Sequence, residues 1–407
     1  MMNAPLSGIR VTDLTQHVAG SSGTQLLGDL GAEVIKIEPP EGEQIRKTSA
    51  GARLHEDSYL YLSYNRNKKD VVLDLRTPMG KQAFYDLVKV SDVVSDNYRA
   101  GVMKRLGADY ETLKKINPKI ICCSMSGYGA SGPYSTLPTF DIMIQAQVGI
   151  ASVTGEPDGP PLKCGPAVVD ICAGLVLALS VTSALMLRER TGVGQNIDLS
   201  LLDVGLYLTA FHIAQYYMTG EVPKRLGGHH MVTNPYGIYP TKDGYFAIGQ
   251  CWPRITRILG IEEIADDPRF AERDARLKNR NELDAILASR FKEWGKKELV
   301  DVLHAQDISA GVLNNVEEAM NDPQIIHRSM TFDMEHPKGG KFTVAANPLK
   351  LADTLPREQY TSPPLLGQHT EEILAKLLGY SKEKIVKLKE EAKAHTEERL
   401  EHLEKRR

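Results

Sequence analysis

Buried strands and amphipathic helices alternate in the hydrophobic pattern of the first half of the chain. IRVTDL at 9–14 and AEVIKIE at 32–38 have the apolar character of buried strands, and SSGTQLLGDLG at 21–31 between them predicts a helix. Gly31 stands where such a helix commonly ends. A strand, a helix and a strand within about thirty residues predict a right-handed crossover between parallel strands.

The same alternation continues to residue 203. Further strands are predicted at four places, namely DVVLDL (70–75), DVVSDN (92–97), KIICCSMSG (119–127) and NIDLSLLD (196–203). Thr77 and Pro78 are typical of the N-cap and the first residue of a helix. We therefore expect an α/β fold class, with a Rossmann-like large domain over 1–221 built on a doubly wound, mostly parallel sheet.

The remainder of the chain predicts a second, smaller domain. PYGIYPTKDGYFAIGQ at 235–250 indicates two short strands around a Lys-Asp-Gly turn, and helical segments follow. We place an α+β domain at 222–324 and a C-terminal segment at 325–407 that returns to the large domain. The last 27 residues or so, from SKEKIV onward, are highly charged and predict a helix that is either a solvated tail or a packing helix.

Composition narrows the class of protein. The 407 residues are 42% hydrophobic and carry a formal net charge of −3, which gives no support for binding to nucleic acid or to a membrane surface. Five cysteines without a CxxC pair favour a reduced, cytoplasmic setting. The longest apolar run follows Asp170, is interrupted by Gly, Ser and Thr, and predicts a buried core helix rather than a membrane span.

Several common site motifs are weak or missing. Gly20, Gly23, Gly28 and Glu38 roughly imitate a dinucleotide fingerprint, but the spacing is GxxGxxxxG, so close helix packing is the favoured interpretation. A nicotinamide-dependent dehydrogenase stays open as an alternative on this feature alone. The sequence has no Walker lysine and no GxSxG, and its histidines show no metal-ligand spacing, so no metal site is predicted.

Asp170 is the carboxylate that stands out, in GPAVVDICAG at 165–174. It directly precedes a helical run, and Asp is among the best N-caps, so spacing alone favours a capping role. Its apolar surroundings suggest a second possibility, because an unpaired buried charge is costly. An ionised, partly desolvated carboxylate at a helix N-terminus could act as a nucleophile toward an activated carbonyl.

Beyond Asp170, a series of motifs in a fixed order covers nearly the whole chain. They are GIRVTDL, LLGDLGAEVIKIEPPEGEQIR, NRNKKDVVLDL, SDVVSDNYRAGVMKRLG, NPKIICCSMSGYGASGPY, FDIMIQAQVG, RTGVGQNIDLSLLD, PYGIYPTKDGYFAI and PLLGQHTEEIL. In these motifs the chain resembles the class III CoA-transferases, the CaiB/BaiF family. The resemblance implies that Asp170 is the catalytic aspartate, which forms covalent acyl and CoA intermediates.

The resemblance also implies a binding site for coenzyme A, which would be a substrate as free CoA or acyl-CoA and not a tightly bound cofactor. The residues that correspond to CoA contacts of the formyl-CoA transferase branch are Val18, Ala19, Leu73, Asp74, Leu75, Arg76, Asn97, Tyr98, Arg99 and Arg105. Arginines suit a phosphorylated nucleotide. Pro39 and Pro138 depart from the branch, which has basic CoA contacts at those positions.

Related activities and assemblies follow from the same resemblance. Acyl-CoA racemases of the family pair the aspartate with a histidine of an HD motif, and this chain has Phe140 before Asp141, which favours transfer. A racemase, or a catalytically silent subunit of a hetero-oligomer, remains an alternative. The family implies an interlocked dimer, with an identical chain or a related one. Succinyl-CoA as donor and a substituted dicarboxylic acid as acceptor are the expected substrates.

Overall fold

The computed structural model describes residues 4–48, 52–351 and 359–404, with the side chains of 402–404 left out. By compactness the chain divides into two units. The first unit comprises the residues up to Val148, Gly165–Ala210 and the residues from Ser329 onward; the second comprises Gly149–Cys164 and Phe211–Arg328. The predicted domain boundaries, after residues 221 and 324, stay predictions.

Strands of the first unit form a six-stranded parallel sheet in the order β5-β2-β1-β6-β7-β8. Their bounds are β1 Arg10–Asp13, β2 Glu33–Glu38, β5 Lys68–Val72, β6 Val93–Asp96, β7 Ile121–Ser126 and β8 Asn196–Ser200. Two antiparallel hairpins accompany the sheet, β3 Arg53–Leu54 with β4 Asp57–Ser58, and β12 Thr331–Glu335 with β13 Lys341–Ala345. The predicted α/β class with a parallel sheet is confirmed, although β5 begins and ends earlier than the predicted 70–75.

Helices connect these strands and cover the sheet. In chain order they are α1 Ala19–Asp29, α2 Tyr59–Tyr64, α3 Pro78–Lys89, α4 Val102–Leu106, α5 Tyr110–Ile116, α6 Asp141–Gln147, α8 Val168–Thr191 and α9 Leu201–Leu208. Two further helices, α7 Ile150–Val153 and α10 Ala210–Thr219, belong to the second unit, apart from Ala210 itself. A 3₁₀ turn spans Gln44–Lys47. The predicted start of α3 is confirmed, since Gly80 N–H donates to the Thr77 hydroxyl at 3.1 Å and Pro78 is the first helical residue.

The second unit is built around a three-stranded antiparallel sheet, in the order β11-β10-β9. Its strands are β9 Gly237–Thr241, β10 Gly244–Ile248 and β11 Ala310–Val312. The predicted hairpin is present, because Thr241 pairs with Gly244 across the Lys-Asp turn. The following helices are α11 Arg254–Ile258, α12 Arg273–Lys278, α13 Arg280–Phe291, α14 Lys296–Ala305, α15 Val316–Met320 and α16 Pro323–His327, with a 3₁₀ turn at Glu262–Ile264.

The charged C-terminal segment is a packing helix over its described length. After α17 Thr370–Glu372 and a π-helical turn at Ile373–Leu377, α18 runs from Lys382 to Glu404. Ile385 and Leu388 of α18 belong to the same buried apolar cluster as residues of the central sheet and α3. The end of the predicted segment, 405–407, lies outside the described residues.

Helix α8 runs through the first unit and is the helix, within the described part of the chain, that is long and apolar enough to cross a membrane. Its inner face is buried, and Ala173, Leu177 and Val181 are at most 1% exposed. The predicted core helix agrees with this burial. The cytoplasmic location stays a prediction.

Glycines allow α1 and α8 to pack closely. A Cβ atom on Gly23 would lie 2.8 Å from the carbonyl oxygen of Gly174, and one on Gly174 would lie 2.1 Å from the Ser22 hydroxyl. Both distances are shorter than any normal carbon contact. The glycines of the first crossover therefore have the packing role that the sequence favoured.

Replacing Gly174 with alanine should therefore destabilise the protein. The added methyl group would meet Ser22 and the backbone oxygen of Ala19, at 2.1 and 2.9 Å, and the helices would have to move apart. We expect a loss of about 1–3 kcal/mol in the free energy of unfolding, the usual cost of overpacking. Denaturant unfolding measures it, with Gly311→Ala as control, where a Cβ meets no atom within 4 Å. Equal stability of the two variants would contradict the packing account.

Candidate functional site

A cavity of about 320 Å³ opens among segments that follow strands β1, β6, β7 and β8. In an open parallel sheet, ligands bind at the carboxyl ends of strands where the strand order reverses. Here β1 and β6 are neighbours, while the chain runs from β1 outward to β2 and β5 before it returns. The cavity is lined by Gln16, His17, Ala19, Gln44, Asn97, Tyr98, Arg99, Met125, Ser126, Gly127, Leu137, Thr139, Phe140, Asp170 and Leu201.

Asp170 lies in the first turn of α8 and does not cap it. The helix begins at Val168, with Ala167 in the N-cap position and no side-chain cap on that residue. The capping role predicted for Asp170 is wrong, because the carboxylate of Asp141 takes it: its Oδ2 accepts from the N–H groups of Val169 at 2.9 Å and of Asp170 at 3.3 Å. With these amides occupied by Asp141, the carboxylate of Asp170 is not needed to hold the helix.

Burial and a neighbouring charge change the acidity of Asp170. Desolvation is the main cause, and the nearby Asp141 carboxylate adds repulsion; together they raise the pKa of Asp170 to about 7. Asp141 itself is 8% exposed and accepts an additional hydrogen bond from the Gln145 amide. A carboxylate with so high a pKa is weakly solvated, and at neutral pH it exists in both protonation states.

The loop after β1 forms one wall of the cavity and is held by β6. The side chain of Asn97 accepts from the N–H of Gln16 and donates to its carbonyl oxygen, both at 2.7 Å. The Gln16 amide also donates to the Tyr98 hydroxyl at 3.2 Å. These hydrogen bonds hold the loop after β1 against the loop after β6, and all three residues line the cavity.

Four of the predicted CoA-binding residues line the cavity together with Asp170, namely Ala19, Asn97, Tyr98 and Arg99. They come from the loops after β1 and β6, which converge only in the folded chain. Asn97 and Tyr98 also carry the hydrogen bonds described above. The fold therefore places these four residues in one cavity with Asp170, and their binding of CoA stays a prediction.

The other six predicted CoA-binding residues do not line the cavity. Leu73 and Leu75 are buried in the apolar core next to α3. Arg76 forms a two-pronged ion pair with Asp74, with N–O distances of 2.7 and 2.9 Å, and Asp74 also contacts His395 of α18 at 2.8 Å. Of the remaining two, Val18 is the N-cap residue before α1 and Arg105 lies on the exposed side of α4.

Sequence reasoning missed several residues that line the cavity. Gln16, His17 and Gln44 were not singled out, and Asp141 was considered only for the HD motif. Gln16 and His17 could have been found from their position in the sequence. They are polar and follow a buried strand, at the edge of a parallel sheet where ligands bind. Asp141 gave no such signal, since its partner amides lie 28 and 29 residues away.

Metal ligands are not grouped in the described parts of the chain. No cluster of three or more His, Cys, Asp or Glu side chains able to hold a metal ion occurs there.

Comparison with known proteins matches the chain to one family. Residues 6–370 match the family described as CoA-transferase family III. A succinate–glutarate CoA-transferase of Agrobacterium fabrum is 37% identical over 385 residues, which cover 92% of this chain and 96% of the relative. A succinyl-CoA:glutarate CoA-transferase of Mus musculus is 34% identical over 388 residues, which cover 94% and 89%.

A solved structure agrees with the sequence comparison. A CaiB/BaiF family protein from Brucella suis superposes with a TM-score of 0.83 at 37% identity, and the match covers 92% of this chain and all of that one. Similarity at this level extends over both units.

Proposed function

The chain belongs to CoA-transferase family III and is a CoA-transferase, and from this we propose that Asp170 carries CoA covalently from succinyl-CoA to a free dicarboxylic acid. The observation that supports this most directly is the position of Asp170, a half-buried carboxylate freed from capping that lines the cavity at the carboxyl ends of the strands. The names of the two relatives support succinyl-CoA as donor and glutarate as an acceptor.

The first half of the reaction loads CoA onto the enzyme. A carboxylate oxygen of Asp170 attacks the thioester carbon of succinyl-CoA, the C–S bond breaks, and CoA leaves as the thiolate. The product is a mixed anhydride between Asp170 and succinate. The thiolate then attacks the aspartyl carbonyl carbon, the anhydride C–O bond breaks, and succinate leaves, so that Asp170 holds CoA as a thioester.

The second half runs the same two steps with the acceptor. The acceptor carboxylate attacks the aspartyl thioester, which gives a second mixed anhydride and free thiolate. The thiolate attacks the acyl carbon of the acceptor, and Asp170 leaves as a carboxylate. No proton is gained or lost overall. An anhydride and a thioester are similarly activated, so the energy of the donor thioester is kept through all four steps.

The activation of the thioester is kept only if water is excluded from the cavity around Asp170. The intermediates would hydrolyse if a water molecule reached the aspartyl carbonyl carbon. Part of the cavity lining is apolar, with Met125, Leu137, Phe140 and Leu201 among its residues. These side chains would surround a bound acyl group and displace solvent from the carboxylate of Asp170.

The CoA-binding residues are part of the proposal. Asn97, Tyr98 and Arg99 would hold the part of CoA nearest Asp170, since they line the same cavity. Arg76, which is a third exposed and paired with Asp74, and the exposed Arg105 would serve the phosphorylated end. Val18, Ala19, Leu73, Asp74 and Leu75 would contribute backbone and packing contacts.

Covalent trapping tests this function. The protein is incubated with succinyl-CoA and hydroxylamine, which captures an activated aspartyl carbonyl, and peptide mass spectrometry locates the hydroxamate. We expect modification at Asp170 and transfer of CoA to glutarate. Exchange of an α-proton for deuterium without any acceptor acid would point instead to a racemase. CoA binding without either activity would point to a silent subunit, and both outcomes would overturn the proposal.

We also propose that the protein forms a dimer, in which the family resemblance implies interlocked chains. Helix α8 supports this, because Leu175, Leu179 and Met186 lie on one face, spaced by four and seven residues, and are 45%, 65% and 61% exposed. Large exposed apolar patches commonly mark protein interfaces. Other exposed apolar residues on the nearby elements α6 and α9 are Ile142, Met143, Leu206 and Tyr207.

Charged residues on the exposed face of α8 should disrupt that dimer. In the double variant Leu179→Arg, Met186→Arg, two like charges would lie in the apolar interface and would be costly to bury. We expect the mass measured by light scattering to fall from dimer to monomer, or the protein to aggregate. The control is Val386→Arg, an exposed apolar residue of α18 at 51% exposure, which should keep the wild-type mass. An unchanged dimer in the double variant would refute this interface.

A further inference from the structure

His17 lines the same cavity as Asp170 and takes no part in the steps described above. Its ring nitrogens have no hydrogen-bond partner among the residues that the structure describes. An imidazole with free polar atoms in a cavity that also contains a reactive carboxylate is available to a substrate. The His17 backbone and ring are both held by contacts with neighbouring residues.

The backbone of His17 is strained. Its φ angle is +58°, in the left-handed region that residues with a side chain adopt at a cost of about 1–2 kcal/mol. The carboxylate of Glu43 compensates, because its Oε2 accepts from the His17 N–H at 3.0 Å. Strain of this kind is concentrated at functional sites, where the surrounding structure maintains it.

Glu43 is in turn fixed by a buried ion pair. The Nζ atom of Lys36 lies 3.0 Å from Glu43 Oε1, and the two side chains are 1% and 0% exposed. The same Nζ donates to the carbonyl oxygen of Thr15 at 2.7 Å. Lys36 and Glu43 thus hold the loop on both sides of Gln16, and loss of Lys36 would leave Glu43 as a buried carboxylate without its partner.

On its other side the imidazole meets the segment that supports Asp170. The rings of His17 and Phe140 make an edge-to-face contact with a centroid distance of 6.1 Å. Phe140 directly precedes Asp141, whose carboxylate binds the amide of Asp170. The loop after β1 and the start of α8 are therefore linked through contacts that end at the nucleophile.

The surroundings also determine the charge of the ring. Burial lowers the pKa of His17, and the positive charge of Lys36 lowers it further. At neutral pH the imidazole is therefore uncharged and has one N–H donor and one acceptor nitrogen.

We propose that His17 is a further catalytic residue, whose neutral imidazole donates a hydrogen bond to the thioester carbonyl oxygen as that oxygen becomes negative during attack by Asp170. Glu43 and Lys36 are then positioning residues that act through His17. The hydrogen stays on the imidazole throughout, so the balance of the four steps is unchanged. The inference rests on the proposed transfer function and assigns a group that stabilises its charged transition states.

The decisive variant is His17→Gly. Glycine adopts a positive φ without strain, so folding should be preserved and Tm should stay equal or rise. We expect kcat to fall about 100-fold, the usual loss for one such donor, and free imidazole in the buffer to restore part of it. Full activity of the variant would overturn the proposal. So would a loss of activity that imidazole does not restore.

A second comparison tests the positioning role of Glu43. Glu43→Gln disrupts the pair with Lys36, and Asp29→Asn disrupts a pair of similar burial, Arg66–Asp29 at 2.5 Å, whose residues do not line the cavity. Both should lower Tm, but only Glu43→Gln should lower kcat, with KM for succinyl-CoA little changed. Equal kcat in the two variants would contradict the positioning role.

The two proposals fail in different ways. If His17 has no role, the wild-type protein and His17→Gly will both form the Asp170 adduct with succinyl-CoA and turn over equally fast. If the transfer function itself is wrong, the wild-type protein will form no adduct and will not pass CoA to an acid.

Discussion

Replacing Asp170 with asparagine should abolish CoA transfer while the protein still folds. An amide is a poor nucleophile and cannot form the anhydride or the aspartyl thioester, so kcat should fall by at least about 10³-fold, as for removal of other covalent nucleophiles. Folding should not suffer, because Asp141 and not Asp170 binds the amides at the start of α8. The measurements are CoA transfer from succinyl-CoA to glutarate and Tm.

The chain offers a matched control for this variant. Asp203 is also the third residue of a helix, α9, whose cap is the hydroxyl of Ser200 at 3.0 Å from the Asp203 N–H. It is exposed and does not line the cavity. Asp203→Asn should therefore keep wild-type turnover. Transfer at a normal rate by a folded Asp170→Asn protein would exclude the covalent mechanism.

The second large effect is the pH dependence of transfer. Asp170 attacks as the carboxylate, and its pKa is raised to about 7. Below that pH the group is protonated and inactive, so kcat/KM should fall about tenfold for each pH unit and should level off above pH 7. An aspartate with its usual pKa would give a flat profile from pH 5 to 8. Initial rates over this range, at low succinyl-CoA concentration, decide between the two.

Asp141→Asn should move this profile in a known direction. Burial is the larger cause of the raised pKa and remains, but the repulsion from the Asp141 carboxylate disappears, so the pKa of Asp170 should fall. The midpoint of kcat/KM should then lie at lower pH. An asparagine oxygen can still accept from the Val169 and Asp170 amides, so α8 should stay capped. A midpoint that stays in place, or moves up, would contradict the electrostatic account; Asp203→Asn again provides the control.

Much of the fold could be predicted from the pattern of the sequence. The buried strands β1, β2, β6 and β7 are confirmed close to the predicted places, since fully buried parallel strands are continuous apolar runs. Thr77 and Pro78 indicate the start of α3 because capping is a local interaction. Motif order alone also pointed to the correct family, since a match over 6–370 depends on the sequence and not on any single site.

The candidate site could be predicted only in part. Asp170, Ala19, Asn97, Tyr98 and Arg99 were all identified from the resemblance, and the fold brings them to one cavity. The predicted capping role of Asp170 was wrong, because the carboxylate of Asp141 in α6 accepts from the amides at the start of α8. His17 could have been noticed by its place after a buried strand, but its backbone strain could not, since Lys36 and Glu43, which hold the loop, come from the next strand and the turn after it.

The sequence by itself determined the alternation of strands and helices, the parallel sheet and the family, because these follow from the spacing of apolar residues and from motifs read in order. The tertiary structure alone decided which carboxylate caps α8, which one has a pKa near neutrality, and which imidazole lines the same cavity. The physical reason is that hydrogen-bond partners, burial and charge repulsion depend on groups far apart in the chain. Asp141 and Asp170 are 29 residues apart in the sequence and come together only in the folded chain. There Asp141 accepts from the Asp170 amide, and its charge helps to raise the pKa of Asp170.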